Sequence, residues 1–126
     1  MPFSIKARLR SFVFAFNGLR ILLREEHNAR IHLLGAVLAV LFGIVFHLSV
    51  VEWIIVCLCI GCVFVLEIIN SAIERLANYV SPNHHKLIGQ VKDLSAAGVL
   101  VGAATALIIG LLIFIPKIIL IIHHVI

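Results

Sequence analysis

The chain has 126 residues, of which 63% are hydrophobic and only 13% charged. Soluble domains carry about 45–50% apolar and about 25% charged residues, so an ordinary soluble domain is excluded and an integral membrane protein is indicated. The formal charge of +4 comes from Lys and Arg that flank apolar runs, which makes it a topology signal and not a nucleic-acid footprint.

Taken in order, residues 4–24 predict a basic amphipathic helix. Ile5, Leu9, Phe12, Phe16, Leu19 and Leu23 recur at alternating spacings of 4 and 3, with Lys6, Arg10, Asn17, Arg20 and Arg24 on the other side. Such a segment, counted as residues 1–27 with its flanks, lies along an anionic membrane surface with its apolar face down. Its charges run throughout and no uninterrupted apolar core follows, which argues against a signal peptide. A polar cluster, Arg24 to His32, precedes an apolar run, and a first span is expected over 28–48. There Gly35, Ala39 and Gly43 form the small-residue pattern that lets membrane helices approach closely.

The turn before the second span, His47 to Glu52, holds no Lys or Arg. The second span is expected over 52–80, with Trp53 as an interfacial anchor and Ser81-Pro82-Asn83 as its stop. Cys57, Cys59 and Cys62 all lie within it. No second ligand pair accompanies the Cys59–Cys62 spacing, so these are read as soft hydrophobes and not as a zinc site. The third span is expected over 87–115, with Gly98, Gly102, Ala106 and Gly110 as a second small-residue stripe. Pro116-Lys117 is read as its far end, and 116–126 as a tail too short to cross again. The whole, residues 1–126, is one domain: an all-α integral membrane protein with one surface helix and three transmembrane helices.

Charge asymmetry orients it. Lys6, Arg8, Arg10, Arg20, Arg24 and Arg30 precede the first span, and Arg75, Lys86 and Lys92 surround the second connection. The positive-inside rule puts the N-terminus and the 81–92 loop in the cytoplasm. Glu25, Glu26, Glu67, Glu74 and Asp93 then converge on the same cytoplasmic interface.

The second span carries the chemistry. Glu67, Asn70, Ser71, Glu74 and Asn78 stand at offsets 0, 3, 4, 7 and 11, which places all five on one helical stripe. An acid at a bilayer centre costs roughly 2.5 kcal/mol or more on insertion scales, so it usually faces protein or water and carries function. The plainer alternative is an amphipathic helix end dipping into the cytoplasm. No Walker-type loop, Gly-rich loop before a helix, protein-kinase signature, HExxH or convincing Ser-His-Asp set is present. Paired carboxylates suit Mg²⁺, which takes one or two protein oxygens and completes its octahedron with water and phosphate. A nearby lysine neutralises phosphate as a point charge. An acid deeper in an apolar layer holds its proton more tightly, which suits a general base. Phosphoryl transfer to a lipid alcohol uses all of these parts. A small membrane transporter or channel subunit is the rival reading, although the polar residues do not continue across the membrane; a structural assembly subunit is a third.

The run Glu67-Ile-Ile-Asn70-Ser71-Ala72-Ile73-Glu74, followed by Lys92-Asp93 and a small-residue stretch, resembles the prokaryotic diacylglycerol kinase family of small membrane lipid kinases. The likeness covers nearly the whole chain, including Gly18-Leu19-Arg20 and Glu26. His27 to His32 and the ending Gly110 to Lys117 look more like the undecaprenol kinase branch. The resemblance implies an ATP- and Mg²⁺-dependent lipid kinase acting on undecaprenol or diacylglycerol. It also implies a homotrimer with composite sites in the bacterial cytoplasmic membrane, open to bilayer and cytoplasm. By motif position it makes Glu67 the base for the lipid hydroxyl and Glu26 and Glu74 the Mg²⁺ ligands. Asn70, Lys92, Asp93, Asn83 and His85 would bind ATP. This chain departs from the family at Phe14, often tyrosine; at Asn78, usually aspartate; and at His32, a glutamate in the diacylglycerol branch.

Overall fold

The computed structural model describes residues 2–126 and contains four helices: α1 (Ile5–Glu25), α2 (His27–Val45), α3 (Val50–Val80) and α4 (Lys86–Val125). The three later helices are long and apolar enough to cross a membrane. α2 and α3 overlap the stretches 28–48 and 52–80, read from the sequence as spans.

Each helix end has a chemical reason. Ser4 caps α1, its hydroxyl accepting from the Ala7 N–H at 3.3 Å. Between α1 and α2 only Glu26 leaves the helical region, with φ −99° and ψ 112°, so the two helices meet at an elbow of one residue. The elbow is clasped by Arg30, whose Nε donates to the Leu23 carbonyl at 2.8 Å while its Nη2 donates to the Arg24 carbonyl. The unpaired carbonyls of a helix C-terminus are thereby satisfied from the next helix.

At the end of α2, His47 sits at φ 52°, a conformation that favours glycine. Its N–H donates to the Ile44 carbonyl at 3.3 Å and the Leu48 N–H to the Gly43 carbonyl at 3.1 Å, the two bonds of a Schellman motif. Two residues later Ser49 and Glu52 form a capping box: the Glu52 N–H donates to Ser49 Oγ at 3.2 Å, and the Ser49 N–H to Glu52 Oε2 at 2.8 Å. This reversal brings Trp53 onto Gly43. A Cβ built at Gly43 would lie 2.6 Å from the indole Cη2 and 3.0 Å from Leu48 Cδ1, so Trp53 is a packing partner of α2. The stiff indole cannot yield as an aliphatic tip would. Gly43→Ala is expected to lower stability by about 1–3 kcal/mol, the usual scale of overpacking, read as a lower thermal unfolding midpoint in a fixed detergent.

The small-residue stripes act within one chain at two positions. Gly43 receives Trp53, and Gly102 on α4 receives Leu66 of α3, while Gly35, Gly98 and Gly110 face open space. Phe46 meets Phe114 with ring centroids 6.2 Å apart, and Lys117 Nζ lies 3.0 Å from Glu52, so α4 runs alongside α3 to its far end. The three cysteines along α3 are free thiols.

One expectation is corrected. Pro116 does not end the last helix, because α4 continues through Pro116 to Val125, so the tail read over 116–126 is largely helical. Proline removes one backbone donor and crowds the carbonyl four residues back. The apolar run from Ile118 to Ile122 nevertheless keeps its own backbone paired, and in apolar surroundings an unpaired backbone costs more than one missing bond.

Little of the chain is enclosed by itself. The buried apolar side chains are Leu22, Ala29, Leu48, Val56, Val63 and Ala77, and α4 buries none. Apolar side chains instead cover the outside, as for a surface that meets lipid or other protein and not water.

Candidate active site

The polar interior lies where the α1–α2 elbow meets the second half of α3. Glu67 and Ser71, at 2% and 5% exposure, are the buried polar residues, one turn apart on α3. The Ser71 hydroxyl donates to Glu26 Oε1 at 2.8 Å. One turn further along, Arg75 Nη1 donates to the same oxygen at 2.9 Å and also to Ser71 Oγ, while Arg75 Nη2 donates to Glu25 Oε2 at 2.7 Å. A single guanidinium thus gathers the last residue of α1, the elbow residue and α3.

Glu67 itself turns to α2. His32 Nε2 comes to 3.0 Å from Glu67 Oε1, but without hydrogen-bond alignment, and that buried oxygen has no hydrogen-bond partner. A buried carboxylate oxygen left unpaired is costly, and such groups concentrate where chemistry is done. Further along α3, Lys92 Nζ of α4 donates to Asn78 Oδ1 at 2.8 Å. Asn78 therefore holds the lysine as a neutral acceptor.

The remaining expected residues are more scattered. Asn70 and Glu74 are half-buried on α3, whereas Asn83, His85 and Asp93 are exposed. His85 caps α4, its Nδ1 accepting from the Leu87 N–H at 3.2 Å. Among the described residues no group of three or more His, Cys, Asp or Glu converges as a metal cage. That donor set still fits Mg²⁺ arriving on a nucleotide, which asks for one or two carboxylates. An open hollow at the end of α1 is lined by Asn17, Arg20, Ile21, Arg24 and Glu25, placing two cationic side chains next to the elbow.

The sequence assigns no catalytic or ligand role to three members of this cluster, although it places Glu25 among the acids at the cytoplasmic interface and His32 among the departures from the family. Arg75 stands eight residues after Glu67 and four after Ser71, so the stripe's own periodicity includes it, although charge asymmetry alone explains its presence. Glu25 follows from Arg75. His32 has no local signal, since its contact with Glu67 spans 35 positions and arises from the packing of α2 on α3.

A helical membrane protein with a buried acid beside a polar, charged elbow is the class so defined. The family model for prokaryotic diacylglycerol kinase matches residues 13–114, and the chain belongs to that family, whose members are lipid kinases. Similar proteins include the undecaprenol kinase of Bacillus subtilis, 41% identical over 108 residues, covering 86% of this chain and 88% of that one. The diacylglycerol kinase of Synechocystis is 29% identical over 109 residues, 86% of this chain and 62% of that one. The diacylglycerol kinase of Escherichia coli K12 is 27% identical over 95 residues, 75% of this chain and 78% of that one.

Proposed function

We propose that this chain transfers the γ-phosphoryl group of ATP to the hydroxyl of a membrane lipid alcohol, with Mg²⁺ and with undecaprenol as the preferred acceptor. The observation that carries the reading is Glu67, a buried carboxylate with an unpaired oxygen, one turn from the Ser71–Glu26–Arg75 network. Glu67 takes the proton as the lipid oxygen forms its bond to the γ-phosphorus and the bond to the β–γ bridging oxygen breaks, releasing ADP.

Glu26 and Glu74 would hold the metal, whose charge offsets that of the phosphates. Glu26 Oε1 is shared by Ser71 and Arg75, so metal binding requires Arg75 to share or yield that carboxylate. Lys92 and Asp93 on α4, Asn70 on α3, and Asn83 and His85 in the loop between them would contact the nucleotide. In this reading α1 lies on the inner face of the bacterial cytoplasmic membrane, and three copies assemble composite sites open to both lipid and cytoplasm. The preference for undecaprenol is supported by the higher identity to the Bacillus subtilis undecaprenol kinase than to the diacylglycerol kinases.

The test is a parallel assay of undecaprenol and diacylglycerol in one detergent, with purified protein, Mg²⁺ and labelled ATP. Faster labelling of undecaprenol is expected. Faster labelling of diacylglycerol would reverse the lipid preference, and labelling of neither would end the kinase reading.

A further inference from the structure

A general base at 2% exposure has a second task after each turnover. The proton it accepts must leave before the next acceptor binds, and Glu67 is closed off from solvent. We propose that His32 is the exit: Glu67 passes its proton to the His32 imidazole, which releases it toward the more open side of α2. The proposal rests on Glu67 serving as the base.

Three observations carry it. His32 Nε2 stands 3.0 Å from Glu67 Oε1, the oxygen that has no hydrogen-bond partner. The two side chains differ in access, 24% exposed for His32 against 3% for Glu67, and His32 lies in the second turn of α2 beside the charged elbow, so the pair forms a step from the closed interior toward the polar end of the helix. An imidazole accepts a proton at one ring nitrogen and gives one up from the other near neutral pH, which no neighbour here can do. The contact lacks hydrogen-bond alignment at rest, as catalytic contacts often do before the enzyme is loaded, and a turn of the ring closes it.

Four cationic side chains of these helices are already engaged elsewhere. On α2, Arg30 is turned to the Leu23 and Arg24 carbonyls. On α3, Arg75 is held by Glu25, Glu26 and Ser71. On α4, Lys92 is bound to Asn78 and Lys117 is paired with Glu52. The step balances: the proton leaves the Glu67 carboxyl for Nε2, the Nδ1 proton passes to water, and exchange with water then returns the resulting Nε2–H tautomer to the Nδ1–H form. His32 therefore acts through Glu67 and not on the lipid.

The experiment compares His32→Ala, His32→Gln and Glu67→Gln in the full chain, with free imidazole present or absent. His32→Gln keeps an amide that reaches Glu67 but cannot carry a proton. Both His32 variants are expected to lose at least about tenfold in kcat, a modest part of what proton transfer contributes in enzymes, with KM for ATP and the unfolding midpoint near wild type. Imidazole is expected to restore turnover to His32→Ala and to leave Glu67→Gln unchanged. Full turnover by His32→Gln, or no response of His32→Ala to imidazole, would overturn the relay while leaving Glu67 as base. Normal turnover by Glu67→Gln would instead remove the base itself, and the relay with it.

Discussion

Glu67→Gln is expected to reduce lipid phosphorylation by about 10²–10⁴-fold, the usual contribution of a positioned general base, with ATP binding retained. The substitution keeps the shape of the side chain and removes only its capacity to take a proton. It also removes a charge from a site at 2% exposure, where an unpaired carboxylate oxygen is a burden on the fold. The unfolding midpoint in detergent is therefore expected to stay level or rise. Lower activity with equal or greater stability is the pattern of a group kept for chemistry. Lower activity with a lower midpoint would mark Glu67 as structural. The paired measurements are turnover at saturating ATP and thermal unfolding in the same detergent.

The second large effect is expected at Glu26. Its carboxylate joins the elbow to α3 through Ser71 and Arg75, and it is a proposed metal ligand. Glu26→Gln separates these roles, since an amide oxygen still accepts from both donors. The Arg75 side chain is 42% exposed, and ion pairs of that kind contribute about 0.2–1 kcal/mol, so little stability is lost. A metal ligand loses far more when its charge goes. KM for Mg²⁺-ATP is expected to rise at least about tenfold, equivalent to about 1.4 kcal/mol, and higher Mg²⁺ should recover part of the rate. A KM unchanged across a Mg²⁺ titration would take Glu26 out of the metal site. Read together, the two variants separate proton transfer from metal binding: one lowers kcat, the other raises KM.

The helices were legible because hydropathy and breakers act locally. Leu33 to Leu48, the Cys-bearing run and the glycine-spaced run each needed a span, and Pro82 needed a break. The end of α4 was not legible, because proline stops helices in water more reliably than in apolar surroundings. Within the site, Glu67 and Ser71 could be seen from an apolar helix carrying polar residues at helical spacing. Charge orientation placed Glu26 at the same interface, and its metal role came only from the family motif. His32 lay beyond reach, since nothing along the chain says which face of α2 will meet α3. Trp53 shows the same limit: its position at the start of a span suggested an interfacial anchor, and only the Schellman turn at His47 brings it onto Gly43.

The length of α4 has a mechanical consequence. At about 1.5 Å per residue, its 40 residues extend about 60 Å, so its polar start at Lys86 to Asp93 and its end beyond Lys117 reach past the 30 Å hydrocarbon layer. Glu52 and Lys117 tie the helix to α3 at one level, and Pro116 beside that tie removes one rung of the backbone ladder. The helix is thus pinned at the point where it is weakest. Bending of α4 is therefore expected at that joint, well away from the acid-bearing end of the bundle.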